Sequence, residues 1–176
     1  LILAPFLGGL LSGLDRKISA RMQGRIGPSI LQPFYDVQKL LSKQFIVVNY
    51  AQIFLVVSFL ATVIFTGAMF FGGSDVLLCF FLLSTGATFL IFAACITNSP
   101  YSNIGASREL FQMLCYEPAV LFACIGFYLG TGSFNVSDII QADLPAIVKT
   151  PGFFVAFVFI LTIKLRKSPF DLSASH

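Results

Sequence analysis

The sequence predicts an all-α fold, a polytopic bundle of transmembrane helices. The 176-residue chain is 57% hydrophobic and 11% charged, whereas a soluble domain is about 45–50% apolar and about 25% charged. Its apolar residues also fall in long runs, and about 20 such residues cross a bilayer as a helix. This composition excludes a single soluble core.

Five apolar runs define the predicted spans of one integral membrane domain covering residues 1–176. A GGSD turn at 72–75 separates the second run from the third, and neither contains a charge. The first run, LILAPFLGGLLSGL, is too short to span and is interpreted as a helix whose start is missing, so we expect the chain to be a fragment. The predicted spans are 1–14, 46–71, 76–97, 106–130 and 148–165.

Basic residues set the predicted orientation. With five spans, segments 15–45, 98–107 and 166–176 lie on one side with nearly all of the Lys and Arg residues, and Lys149 lies on the other. Cytoplasmic loops are enriched in Lys and Arg. The basic segments are therefore predicted to be cytoplasmic loops of a multi-pass protein in the cell membrane, and 166–176 begins the last of them.

The segment 15–45 combines a basic loop with a predicted amphipathic helix. Pro33 suits the first turn of this helix, which we expect to lie along the membrane surface. The alternative is a basic loop that only fixes topology. The apolar residues at helical spacing are Leu31, Phe34, Val37, Leu40 and Leu41.

Two acidic residues, Glu109 and Glu117, lie inside the apolar runs. Ionisable residues within a span are costly and are functional candidates by default. At about 100° per residue, both share one arc with Gln112 and Tyr116, and the carboxylates are about 12 Å apart along the axis. Tyr116, Gln112 or water molecules could bridge that gap, which indicates a proton pathway.

Pro118 follows directly after Glu117. Inside a helix, proline frees the carbonyl four residues earlier, and that carbonyl would bind water beside the carboxylate. Alternatively, Pro118 starts the helix and Glu117 lies at the membrane interface. Glu109 could instead pair with Arg108 or Lys167 near the surface.

The cysteines indicate apolar packing rather than metal chemistry. All lie within apolar runs and none forms a CxxC pair, so the sequence predicts no metal or cofactor bound by this chain. The four residues are Cys79, Cys95, Cys115 and Cys124.

Three segments together resemble a known family. RKISARMQGRIGPSILQPFYDVQKLLSK, ASRELFQMLCYEPAV and RKSPFDLSASH resemble signature segments of the H-subunit family of NADH–quinone oxidoreductase (complex I subunit 1). Membrane-anchor subunits of energy-converting membrane-bound nickel–iron hydrogenases share them. Their order, spacing and deduced topology agree over nearly the whole chain.

The resemblance implies a docking surface for a peripheral redox arm. The first-loop motif is matched by Arg16, Lys17, Arg21, Arg25, Gln32, Pro33, Asp36 and Lys39, and the second by Lys167, Pro169, Phe170 and Asp171. Tyr116 and Glu117 match the family's intramembrane glutamate motif, which implies a proton pathway including Glu109 and Asp171. By itself, Asp171 could simply cap a helix that starts at Leu172.

Two departures favour the hydrogenase branch. GRIGPSILQPF lacks glycine-containing residues that complex I forms carry between GP and LQPF, and PFDLSASH lacks an acidic continuation such as PEAE. The resemblance then implies a non-catalytic membrane subunit of a hydrogenase-type oxidoreductase complex.

The implied partners are homologues of the nickel–iron large subunit and iron–sulfur small subunit, antiporter-like membrane subunits, the lipid bilayer and, through the complex, ferredoxin. No nucleic acid is expected. A nickel–iron centre and 4Fe-4S clusters would lie in partner subunits. The alternatives are the corresponding membrane subunit of a quinone-reducing complex I, forming part of a quinone chamber, and an unrelated transporter or membrane scaffold.

Overall fold

The structure is a computed structural model that describes residues 3–44, 49–141, 146–165 and 170. These residues form helices and contain no strand, which confirms the predicted all-α fold. The helices are α1 (Leu3–Met22), α2 (Gln32–Leu41), α3 (Tyr50–Phe71), α4 (Val76–Cys95), α5 (Pro100–Thr131), α6 (Val136–Gln141), α7 (Ala146–Lys149) and α8 (Pro151–Lys164). They divide into two compact units, Leu1–Ile46 and Val47–His176.

In the first unit, helix α1 is longer than the predicted first span. It continues to Met22, so residues 15–22, which we assigned to a loop, are its last two turns. The segment DRKISARM is rich in Arg, Lys, Ala and Met, which favour helix, and a change in polarity does not by itself end a helix. Residues 15–45 therefore contain the end of α1 as well as a loop.

The predicted amphipathic helix is confirmed as helix α2. Pro33 lies in its first turn, where a missing N–H costs no helical hydrogen bond. Phe34 stacks on Phe6 of α1 with ring centroids 6.1 Å apart, and it also lies against Gly9. One apolar residue of α2 thus holds the helix to α1, while Val37 is exposed.

In the second unit, α3 and α4 form a close helical pair. The predicted turn at 72–75 is present, and Gly73 adopts a φ of +82° there, which glycine tolerates without strain. Gly86 of α4 lies against Thr62 of α3, so the small glycine lets the two helices approach. The turn is fixed by Val76 N, which donates to the carbonyl of Phe134 at 2.9 Å.

Helix α5 is the longest element and differs from its predicted bounds. It begins at Pro100 rather than at residue 106, so most of the predicted polar loop 98–107 is helical. Its 32 residues rise about 48 Å, more than the roughly 30 Å hydrocarbon core. It ends at Gly132, whose φ of +78° places it in the left-handed region typical of helix C-termini.

Helix α8 packs against α5 through aromatic side chains. Phe157 contacts Phe127 of α5 and Phe80 of α4, with ring centroids 5.0 and 5.6 Å apart. Gly126 of α5 lies directly beneath Phe153. The bundle core is therefore the junction of α4, α5 and α8.

The lengths and composition of three helices are compatible with membrane crossing, and the five predicted spans stay predictions. Among the described residues, α3, α4 and α5 are long and apolar enough to cross a membrane, and α8 is a shorter apolar helix. Many large apolar side chains on these helices are exposed, as expected of surfaces that face lipid or other membrane subunits.

Candidate functional site

Helix α5 carries both intramembrane carboxylates. Pro118 lies inside this helix, which contradicts the alternative that it starts the helix and leaves Glu117 at the membrane interface. The helix continues for thirteen residues beyond Pro118. Glu117 consequently lies in the middle of the bundle's central helix.

Glu109 is buried towards α4. It is 8% exposed and lines a cavity of about 280 Å³ together with Ser102, Ala106 and Ile91 of α4. The Ser102 hydroxyl donates to the carbonyl of Ala94 at 2.7 Å, which holds the first turn of α5 against α4. A carboxylate beside a cavity of this size has room for water.

Glu117 lies two turns further along α5 and also faces α4. It is half-buried and lines a small cavity of about 20 Å³ with Phe80 and Ser84 of α4 and with Cys124. Eight residues of helix separate it from Glu109, or about 12 Å along the axis. The two carboxylates therefore share the α4 side of α5 without direct contact.

Gln112 and Tyr116 lie on the side of α5 that faces α8. Both are 8% exposed and line an apolar cavity of about 580 Å³ together with Phe159 and Ile160 of α8. Gln112 Nε2 donates to the carbonyl of Phe170 at 2.8 Å. The four residues predicted to share one arc are thus divided between two neighbouring helices, and Gln112 binds a backbone carbonyl rather than bridging the carboxylates.

Lys164 completes this site, and sequence reasoning missed it. Its Nζ lies 4.8 Å from the centroid of the Phe80 ring and 5.8 Å from that of the Tyr116 ring. In the sequence, this lysine stands out only as one of the basic residues that set the predicted orientation. The sequence feature that could have indicated an inward-facing lysine is its spacing: Lys164 follows Ile160 by four residues, so both lie on the same face of α8.

The predicted docking residues lie in both units. Within the first unit, Arg16 Nη1 lies 3.1 Å from Asp36 Oδ2 in a largely exposed ion pair, and Gln32 Nε2 donates to the same carboxylate at 3.2 Å. Asp36 thus joins α2 to α1. Lys17 is half-buried, whereas Arg21, Arg25 and Lys39 are exposed.

The second docking motif is largely outside the described residues. Phe170 is described: its ring contacts Phe159 of α8 at 5.7 Å in an edge-to-face arrangement. Lys167, Pro169 and Asp171, which were predicted as docking or proton-pathway residues, lie outside the described part of the chain. Their roles stay predictions.

Within the described ranges, no group of three or more His, Cys, Asp and Glu side chains is arranged to hold a metal ion. Cys79 and Cys124 are buried, and Cys95 and Cys115 are exposed on their helices.

Comparison with known proteins identifies the family. The family model described as NADH dehydrogenase matches residues 1–176. The H subunit of NADH-quinone oxidoreductase from Anoxybacillus flavithermus is 33% identical, and the match covers 97% of this chain and 59% of the relative. The corresponding protein of Brevibacillus brevis is also 33% identical, with 98% of this chain and 58% of the relative covered.

A solved structure shares the fold. A chain of the membrane-bound sulfane sulfur reductase, described as an archaeal respiratory membrane complex, superposes with a TM-score of 0.86 at 26% sequence identity, covering 99% of this chain and 62% of that chain. This chain thus spans about three-fifths of the length of the proteins it matches. It is a membrane-embedded member of the NADH dehydrogenase family.

Proposed function

We propose that this chain is the membrane-anchor and coupling subunit of an energy-converting hydrogenase complex. It would dock a peripheral arm holding nickel–iron and iron–sulfur centres and link ferredoxin-dependent hydrogen chemistry to translocation of protons or sodium ions. The observation that carries the coupling role is the position of Glu117, a half-buried carboxylate in the middle of α5 that faces α4.

A carboxylate in this environment responds to charge changes nearby. Interactions between charges are stronger in the apolar interior than in water, and a neighbouring charge changes the proton affinity of a buried carboxyl group. A change in the charge of a docked redox arm would therefore alter proton binding at Glu117. Glu109, about 12 Å away along the axis of α5, is the proposed next carrier, and Asp171 is proposed as a further member of the pathway.

The docking role is supported by the basic surface of the first unit. Arg21, Arg25 and Lys39 are exposed, and the Arg16–Asp36 ion pair holds α2 in place beside them. We propose that this surface, which includes Lys17, binds the peripheral arm. Lys167 and Phe170 of the second unit are proposed as separate contacts with the same arm.

The hydrogenase assignment is supported by two observations. The structure resembles a chain of the membrane-bound sulfane sulfur reductase, so the fold also occurs in a respiratory complex other than the NADH-quinone oxidoreductases for which the curated relatives are named. The alignment to the Anoxybacillus relative extends over 198 residues, more than the 176 of this chain. That relative therefore contains residues with no counterpart here, as expected if this chain lacks insertions of the quinone-reducing form.

The second candidate is the corresponding membrane subunit of a quinone-reducing complex I. The names of the curated relatives favour it, as does the apolar cavity of about 580 Å³ beside Tyr116, because apolar pockets of this size hold small ligands. Membership of the family argues against the third alternative, an unrelated transporter or scaffold.

Purification of the intact complex through this subunit distinguishes the two candidates. We expect nickel together with iron, and hydrogen evolution from reduced ferredoxin or viologen. Iron without nickel, accompanied by NADH–quinone activity, would instead assign the chain to complex I.

Glu117→Gln tests the coupling role in either complex. In proteoliposomes, the variant should retain electron transfer and lose most of the ion movement per electron, because the amide cannot bind and release a proton. Glu117→Asp, which retains a carboxylate, is the matched control and should remain partly coupled. Full coupling in Glu117→Gln would show that Glu117 is not a proton carrier.

A further inference from the structure

The loop after α1 folds back onto the end of that helix. Gly24 adopts a φ of +72°, which glycine tolerates without strain, and the chain reverses there. Arg25 N then donates to the carbonyl of Ala20 at 2.9 Å. Gly27 lies against the side chain of Ala20 and the backbone of Lys17. The side chains that follow Gly24 are therefore held beside the last two turns of α1.

This arrangement forms a cavity with two arginines in its wall. The cavity has a volume of about 380 Å³, and Arg16 of α1 and Arg25 of the loop both line it. Arg16 shares its charge with Asp36 in an ion pair. The Arg25 guanidinium donates to the side-chain oxygen of Gln23, which orients the group without neutralising its charge. Because a guanidinium has five N–H donors, Arg25 retains donors for an anion.

Two further residues of the wall restrict which anion fits. Asp15 adds a carboxylate to the cavity, which repels a phosphate group. Ile26 also lines the cavity and is fully exposed, and exposed apolar side chains beside arginines are typical of protein interfaces. A protein surface can present an acidic side chain to Arg25, a donor to Asp15 and an apolar side chain to Ile26 at the same time.

We infer that this cavity receives an acidic side chain of the peripheral arm, which binds the Arg25 guanidinium while a neighbouring apolar side chain packs on Ile26. Residues 15–43 contain six Lys and Arg residues against two Asp residues, so the charge of the segment complements an acidic partner. This contact rests on the proposed docking role and deepens it by specifying the chemistry that the arm presents.

Carbodiimide cross-linking of the intact complex tests the contact directly. A water-soluble carbodiimide joins a lysine amine to a carboxylate in contact with it, whereas an arginine guanidinium does not form this amide. Arg25→Lys should therefore gain a cross-link between position 25 and an Asp or Glu of an arm subunit, which mass spectrometry locates. Lys149, an exposed lysine of α7, is the internal control and should form no cross-link to the arm.

Retention of the arm distinguishes failure of this contact from failure of the docking role. A wild-type complex that purifies without a peripheral arm would contradict the docking role itself. An arm that stays bound in Arg25→Lys without a cross-link at that position would overturn the acidic contact alone. Loss of co-purified anionic phospholipid in Arg25→Gln, with the arm retained as in the wild type, would also overturn it and assign the cavity to a lipid headgroup.

The rate at which the arm dissociates provides a second measurement, which does not depend on the reach of an introduced amine. Loss of a hydrogen bond between charged groups should speed release of the arm about ten-fold in Arg25→Gln, measured as iron lost from the immobilised complex. Lys43→Gln removes an exposed charge of the same basic segment outside the cavity and should change release by less than about two-fold. Equal release rates in the two variants would contradict the contact at Arg25.

Discussion

Replacement of Gly126 by alanine tests whether α8 is held against α5 by direct contact between backbone and ring. A Cβ atom at this position would lie 2.2 Å from Cγ and 2.7 Å from Cβ of Phe153. Because the clash includes the Cβ of Phe153, rotation of its ring cannot relieve it. Helix α8 must move away from α5.

The expected cost follows from this overlap. Overpacking of a well-packed contact costs about 1–3 kcal/mol. For a chain of this size, each kcal/mol lowers Tm by about 2–4 °C, so a loss of about 2 kcal/mol lowers Tm by about 4–8 °C. The assay is fluorescence-detected size exclusion of the complex in detergent after heating to a series of temperatures.

Gly152→Ala is the matched control, since Gly152 is the neighbour of Phe153 on α8 but is exposed and has no atom within 4 Å of its would-be Cβ. Alanine is favoured over glycine in a helix, so this variant should melt at or above the wild-type temperature. If Gly126→Ala had the same Tm as the Gly152→Ala control, the close contact between α5 and α8 would be refuted.

Two further predictions concern the other contacts. Gly13→Ala would place a methyl group 2.0 Å from the backbone oxygen of Ile30, in the segment that leads into α2, and should speed hydrogen exchange in that segment and in α2. Gly8→Ala, with nothing within 4 Å, should not. Equal exchange in both variants would contradict the contact between α1 and the segment before α2. The hydroxyl of Ser133, followed by a neighbouring asparagine amide, lowers the pKa of Asp138 below its ordinary value of 3.8. Because the pKa of Asp138 is lower in the folded state than in the unfolded state, the ionised carboxylate stabilises the fold. This stabilisation is complete above about pH 4 and is lost as the pH falls through the folded-state pKa. Hydrogen exchange of residues 133–138, corrected for intrinsic rates, should therefore rise below pH 4, and Asp138→Asn should abolish that pH dependence.

The long apolar helices and the turn between α3 and α4 could be predicted from the sequence because membrane insertion imposes strong local rules. Uncharged runs predicted α3 and α4, and GGSD predicted the turn that joins them. Pro33 correctly indicated the start of α2. These features depend on local composition and on the need to satisfy backbone hydrogen bonds in lipid.

Helix ends were predicted less well because polarity and helicity are different properties. The basic residues up to Met22 and the polar residues after Pro100 continue α1 and α5 as helix. Polar side chains at the end of a membrane helix reach water without breaking the backbone. Hydropathy therefore marks the membrane-spanning part, whereas the helix itself extends further.

The site was predicted only in part because helix neighbours are set by tertiary packing. The helical wheel correctly placed Glu109, Glu117 and Tyr116 towards the protein interior. It could not show that α4 covers the two carboxylates while α8 covers Tyr116. Lys164 comes from another helix, 47 positions later than Glu117 in the sequence, so no local pattern on α5 points to it.

Redox-induced infrared difference spectroscopy of the intact complex tests the central claim most directly. If Glu117 changes protonation when the peripheral arm changes redox state, a difference band in the carboxylic C=O stretching region should appear in the wild type and be absent in Glu117→Gln. Asp138→Asn, which removes an exposed carboxylate, should leave the band unchanged. Persistence of the full band in Glu117→Gln would contradict the account.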